Sequence, residues 1–261
     1  MLDSSDPRLV PYRLVGDGAA LERDGLFVAE GRLVVERLLE DGRFAVHSVA
    51  ATPAAIETLA PVLARRPDVT VYACEPATLR EVTGFHFHRG CLALAHRPRR
   101  QMTLDDLAPA TRVLALEGVA DPDNVGGLFR TALALGIESV LLDDATADPF
   151  YRKAIRTSMA ATLRLPFVRA GDWLAALTAL RAHGLRIVAL TPHPDATALE
   201  EYGANRDERM VIVVGSEGFG LTAASLAHAD VRVRIPVDPR ADSLNVVSAA
   251  AIALYALRRV I

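Results

Sequence analysis

Between residues 29 and 97 the apolar positions switch repeatedly between a helical and a strand rhythm. AEGRLVVERLLEDG (29–42) sets its valines and leucines on one helical face and ends at Gly42. FAVHSVA (44–50) follows as a strand. TPAAIETLAPVLARR (52–66) opens with Thr52 at the N-cap and a proline at the first helical position. VTVYA (69–73) is a strand, EPATLREVTG (75–84) a helix and GCLALAH (90–96) a last strand, together a small α/β sandwich. RPRRQMTLDDLAPATR (97–112) is polar, carries prolines and has no strong period, so it is predicted to be a linker.

From Arg112 onward the pattern is a regular β-α alternation. Strands are predicted at RVLALEG, SVLLD, LRLPFV, LRIVALT, MVIVVGS and VRVRIPV. Helices are predicted at NVGGLFRTALALG, PFYRKAIRTSMAA, DWLAALTALRAHG and LTAASLAHAD. Continuous apolar strands separated by helices imply a mostly parallel sheet covered on both faces. The last segment, SLNVVSAAAIALYALRRVI (243–261), is a helix apolar on nearly every side as far as Arg258, so it is buried under its own chain or against a second subunit. The expected organisation is a small α/β domain over 1–98, a linker over 99–111 and a larger α/β domain over 112–261.

Composition narrows the classes. Hydrophobic residues make up 51% and aromatics only 5%, so Ala, Val and Leu carry the core. No apolar run reaches the ~20 residues of a membrane span, and the start, MLDSSDPRLV, reads as no secretory signal. A cytoplasmic location is therefore expected. The two cysteines, Cys74 and Cys91, have no Cys or His at metal-ligand spacing and are expected as buried reduced thiols, with no metal. His86 and His88 flank Phe87 without a third ligand. A net charge of −3 requires any nucleic acid to be held by a local patch. Lys153 is the sole lysine among 29 basic residues, so that patch would consist of guanidinium groups, which grip phosphates bidentately.

In an open parallel sheet, ligands bind beyond the carboxyl ends of the strands. Three such ends carry unusual residues. After the first strand comes Glu117-Gly118-Val119-Ala120-Asp121-Pro122-Asp123-Asn124-Val125-Gly126-Gly127-Leu128-Phe129-Arg130. Asn124 is placed to cap a helix whose first turn holds two glycines, each costing ~1 kcal/mol against alanine. After MVIVV comes Gly215-Ser216-Glu217-Gly218-Phe219-Gly220, a loop that lets a ligand approach backbone amides. It lacks the Lys-Ser/Thr pair of a P-loop, and it comes too late in the domain for a dinucleotide fingerprint. After the last strand, Ile235-Pro236-Val237-Asp238-Pro239-Arg240-Ala241-Asp242-Ser243-Leu244-Asn245 leads into the final helix, with Ser243 at or beside the N-cap.

In this order, these three segments resemble the motifs of the SpoU (TrmH-like) branch of the SPOUT methyltransferases. Asn124, Gly126 and Arg130 match the first motif, and Gly215, Glu217 and Gly220 the second. Ile235-Pro236 with Ser243-Leu244-Asn245-Val246 matches the third. Arg156-Thr157-Ser158-Met159-Ala160 is similar to the family's Arg-x-Ser-x-Gly helix, with Ala160 in the glycine's place and the helix expected to stay intact. Phe27 to Gly31 and His88-Arg89-Gly90 resemble the ribosomal-protein-like (L30e-like) substrate-binding domain often fused in this family.

The resemblance implies a C-terminal trefoil knot, a homodimer in which one subunit's arginine completes the other's site, and S-adenosylmethionine as cofactor. It implies methylation of a ribose 2′-hydroxyl in a structured RNA, ribosomal in preference to transfer RNA. The cofactor residues it implies are Leu190, Thr191, Gly215, Ser216, Glu217, Gly218, Gly220, Ile235, Val237, Ser243 and Leu244. The catalytic set is Asn124, Arg130, Glu217, Ser243 and Asn245. A guanidinium with a pKa above ~12 is a strained base, so Arg130 is read as holding the adjacent phosphate and stabilising the developing alkoxide, with Glu217 an alternative base. RNA contacts are expected from Arg97, Arg99 and Arg100 in the linker and from Arg152, Lys153 and Arg156 on a helix. Two other classes compete: a non-catalytic RNA-binding protein that keeps the fold, and a nicotinamide-dependent oxidoreductase.

Overall fold

A computed structural model describes residues 1–84, 89–100, 102–204, 209–238, 240–241 and 243–258. The His86/His88 pair and Asp242 fall outside the described residues. The chain divides into two compact units, Met1–Arg100 with Pro149–Arg164, and Gln101–Asp148 with Leu165–Ile261.

The first unit opens with a 3-10 helix, Pro7–Gly16, and α1, Gly18–Arg23, neither legible as periodic pattern. β1 (Leu26–Glu30), α2 (Arg32–Asp41), β2 (Val46–Ala51), α3 (Pro53–Leu63), β3 (Thr70–Ala73), α4 (Pro76–Thr83) and β4 (Cys91–His96) follow. The sheet order is β1-β4-β2-β3, with only β2 and β3 parallel. The helix expected from residue 29 starts later. Leu26–Glu30 are paired strand, all five buried, and Gly31 at φ +95 turns the chain into α2. Thr52 caps α3 as expected, accepting from the Ala55 amide. Apolar clusters cover both faces of the sheet, one built on Phe27, Leu38 and Leu59, the other on Leu9, Tyr12 and Leu79. Both cysteines are buried, and burial pushes the Cys91 thiol up to about 12.

The second unit begins inside the segment expected as linker. α5 (Leu104–Leu107) has a capping box between Thr103 and Asp106, and Leu107 is fully buried in this unit's core. β5 (Arg112–Glu117), α6 (Pro122–Ala134) and β6 (Ser139–Leu142) come next. The chain then departs from the predicted continuous domain, because α7 (Arg152–Thr157) and α8 (Ala161–Arg164) pack with the first unit. Ile155, Ala160 and Leu163 join that core, and Phe150 lies 5.2 Å from Phe27 between ring centroids. Arg152 reaches buried Glu30 at 2.7 Å, and Arg37 and Arg43 donate to the carbonyls of Met159 and Leu163.

The helix expected to run through 149–161 is broken. α7 ends at Thr157, and its C-terminus is closed by Met159 N–H to Arg156 O (3.1 Å) and Ala160 N–H to Ile155 O (2.9 Å). Met159 and Ala160 stand at φ 52 and 68, where L-residues carry about 1 kcal/mol of strain. Met159→Gly is therefore expected to raise the thermal midpoint by about 2–4 °C, measured by calorimetric or circular-dichroism melting. An unchanged or lower midpoint would show that the half-buried methionine side chain outweighs the strain.

β7 (Phe167–Arg169) is shorter than the predicted LRLPFV, whose first residues lie in α8. α9 (Trp173–Ala182), β8 (Arg186–Leu190), β9 (Thr197–Ala198), α10 (Leu199–Ala204), β10 (Met210–Gly215), α11 (Ala223–His228), β11 (Val231–Arg234) and α12 (Val246–Leu257) complete the chain. The seven strands form one parallel sheet, β7-β6-β5-β10-β8-β11-β9. α12 lies against α6. A Cβ on Gly127 would meet Val247 Cγ2 at 2.9 Å, which accounts for a glycine inside α6. The buried Arg112 guanidinium donates to the Leu257 carbonyl, tying the end of α12 to the start of β5. Among the described residues, no helix is long and apolar enough to cross a membrane.

Candidate active site

The carboxyl ends of β8, β10 and β11 and the start of α12 surround a cleft of about 770 Å³, within the size range of small-molecule sites. Its walls contain Leu190, Thr191, Gly215, Ser216, Glu217, Gly218, Gly220, Ile235, Val237, Ser243 and Leu244, the whole predicted cofactor set. Val246 and Ala249 of α12 close one side.

The second-motif loop has a physical reason for its glycines. Ser216 and Gly220 bridge across it, with the Gly220 N–H donating to the Ser216 carbonyl at 3.0 Å. A Cβ on Gly215 would lie 2.2 Å from the Gly220 carbonyl carbon, a distance at which backbone, not a flexible side chain, blocks it. Gly220 sits at φ +65. The amides of Phe219 and Gly220 are used inside the loop, and the Thr191 amide donates to Val233 O. Cleft contacts from these residues therefore come from their carbonyls and side chains.

Two acidic residues, neither predicted to matter, hold the loops in place. Glu117 is buried at the end of β5 and accepts from Thr222 Oγ1 and Ser225 Oγ, both at 2.8 Å. Thr222 is the N-cap of α11, so Glu117 fixes the chain immediately after the glycine loop. Asp143, just past β6, accepts from the Gly118 amide at 2.9 Å and from Thr146. An acidic residue closing an otherwise apolar strand was the available sequence signal for both.

Three of the five predicted catalytic residues meet beside the cleft. Asn124 Nδ2 donates to Glu217 Oε1, and Asn245 Nδ2 donates to Asn124 Oδ1 at 3.2 Å. The capping roles differ from those expected. Asp121 caps α6, which leaves the Asn124 side chain in the first turn for Glu217. Asn245, not Ser243, caps α12, its Oδ1 accepting from the Val247 amide at 2.9 Å while its Nδ2 faces Asn124. Ser243 is exposed on the cleft wall. Arg130 is exposed and makes no hydrogen bond to this trio. Six residues beyond Asn124, it is about 9 Å along α6 and about 120° around its axis.

The predicted RNA-contacting arginines do not form one free patch. Arg97 is largely buried, with its guanidinium over the Phe150 ring and Glu22 at 3.7 Å. Arg152 is committed to Glu30. Arg99 and Arg100 are exposed, and Lys153 and Arg156 are half-buried. Among the described residues, no group of three or more His, Cys, Asp and Glu is placed to hold a metal.

A family model described as the SpoU rRNA Methylase family matches residues 111–255. An uncharacterized tRNA/rRNA methyltransferase of Mycobacterium bovis is 40% identical, the match covering 97% of this chain and 89% of that protein. The 23S rRNA (guanosine(2553)-2′-O)-methyltransferase RlmP of Bacillus subtilis is 30% identical, over 89% of this chain and 88% of its own length. Among solved structures, an AdoMet-bound rRNA methyltransferase from Sinorhizobium meliloti superposes with a TM-score of 0.82 at 25% identity, covering 98% of this chain and 96% of that one.

Proposed function

The chain belongs to the SpoU rRNA methylase family, and we propose that it transfers a methyl group from S-adenosylmethionine to a ribose 2′-hydroxyl of ribosomal RNA in the cytoplasm. The observation that carries this reading is the Asn124–Glu217–Asn245 chain at the edge of a donor-sized cleft. The close return of Gly220 onto Gly215 leaves no room for a Cβ at Gly215, so that glycine keeps the cleft-lining loop folded tightly on itself.

Leu190, Thr191, Gly215, Ser216, Glu217, Gly218, Gly220, Ile235, Val237, Ser243 and Leu244 would hold the cofactor, which supplies an electrophilic methyl. The protein's own work is positioning and charge stabilisation, because in-line attack needs little covalent help. Asn124 and Asn245 hold the Glu217 carboxylate in one orientation. Glu217 is placed to accept the hydroxyl proton or to orient the group that does. Arg130, reaching from a second subunit, holds the neighbouring phosphate and stabilises the developing alkoxide. The separation of Arg130 from the trio within one chain favours that cross-subunit role. Ile252 and Tyr255, exposed on otherwise apolar α12, offer a surface for such a homodimer. Three loop segments and α12 around one cleft suit a trefoil knot. Arg97, Arg99, Arg100, Arg152, Lys153 and Arg156 are the candidates for phosphate contacts.

Incubating the protein with S-adenosylmethionine and unmodified rRNA transcripts should yield one site resistant to alkaline hydrolysis, the mark of a blocked 2′-hydroxyl. Methyl incorporation onto a base, or none into RNA, would overturn the reading.

A further inference from the structure

At the mouth of the cleft stands Phe219, a residue the motifs do not use. It is 98% exposed, although its loop is tied down on both sides. The Ser216–Gly220 bridge closes the loop, and the Phe219 amide donates to Ser216 Oγ at 3.3 Å. The ring is thus held out on a pinned turn, two residues from Glu217. Two further exposed apolar side chains, Val237 and Leu244, share the cleft rim with it. A ring left in water forgoes the free energy of burial, so its place here is explained by what arrives at the cleft.

Resting on the RNA methyltransferase reading, we propose that Phe219 is a stacking platform for an unpaired base of the substrate RNA at or beside the modified nucleotide. A ribose hydroxyl must reach Glu217, which sits next to this ring, and recognition of single-stranded RNA stacks unstacked bases on aromatic side chains. Phenylalanine has no hydrogen-bonding group, so it selects for an unstacked nucleotide while reading no base identity. Phe219 is therefore a specificity-determining residue that restricts the enzyme to loops, bulges and opened helices.

Trp173 is the chain's only tryptophan and its indole is bonded to Ser225, so Phe219→Trp adds an exposed reporter at the loop tip. Short unstructured RNA oligomers should quench the new indole, and abasic ribose-phosphate oligomers of equal length should not. Phe219→Ala should weaken binding of the base-bearing oligomers about 10- to 100-fold with affinity for S-adenosylmethionine unchanged. Phe219→Trp should retain RNA affinity and Phe219→Leu should not. Equal response to abasic oligomers, or no response to RNA, overturns the proposal. A change with S-adenosylmethionine alone would assign the ring to the cofactor, and a change with protein concentration alone would assign it to a subunit contact; either overturns it too. Methyl transfer by the unsubstituted protein is scored separately, so an inactive protein whose Phe219→Trp variant still stacks bases sinks the function and not the platform.

Discussion

Arg130→Ala is expected to lower methyl transfer about 100- to 1,000-fold, the range seen when one donor to a developing oxyanion is removed. Affinity for S-adenosylmethionine should not change, because Arg130 is outside the set of residues lining the cleft. RNA affinity should fall only modestly, since one phosphate contact among several is lost. The informative experiment mixes Arg130→Ala with Glu217→Ala. In a two-fold dimer whose arginine acts across the interface, each mixed dimer has one site with both groups intact. Equal mixing then restores about a quarter of the sites. If Arg130 served its own chain, every site would lack one group and no activity would return. Subunit exchange is verified with differently tagged chains, and in exchanging subunits an inactive mixture would remove the shared-site reading.

Much of the second unit was legible because its strands are continuous apolar runs ending in residues that strand chemistry does not need. Asn124, Glu217 and Asn245 could be picked out for that reason, although nothing local showed that they would hydrogen-bond to one another over 93 and 121 positions. The sequence places Ser243 at or beside the N-cap, yet it is Asn245 that caps α12 through one side-chain atom and faces Asn124 through the other. Capping depends on where a helix starts, and periodicity fixes that point only to within a turn. The passage of 149–164 into the first unit was hidden for a different reason. Its period is helical wherever it packs, and only the tertiary partners Glu30, Phe27 and Arg37 identify its core. A guanidinium that pairs with Glu30 or covers Phe150 has the same letter as one in solvent, so these contacts of Arg152 and Arg97 were not legible in the sequence.

Gly215→Ala is expected to abolish or sharply reduce binding of S-adenosylmethionine, by at least about tenfold in affinity, through a single methyl group. The added Cβ would stand 2.2 Å from the carbonyl carbon of Gly220, 2.4 Å from its oxygen and 2.5 Å from the Leu221 nitrogen. All three are backbone atoms, held by the Ser216–Gly220 bridge and by the anchoring of Thr222 on Glu117. Relief therefore requires moving the loop that forms one wall of the cleft, at the ~1–3 kcal/mol typical of overpacking. Gly220 makes the contrasting case. Nothing lies within 4 Å of a Cβ built there, so Gly220→Ala carries only the strain of φ +65 and should bind the cofactor better than Gly215→Ala does. Calorimetric titration of both variants, with circular dichroism to show that each is folded, tests the ordering. Wild-type affinity in a folded Gly215→Ala protein would mean that the cofactor does not depend on this loop's closure.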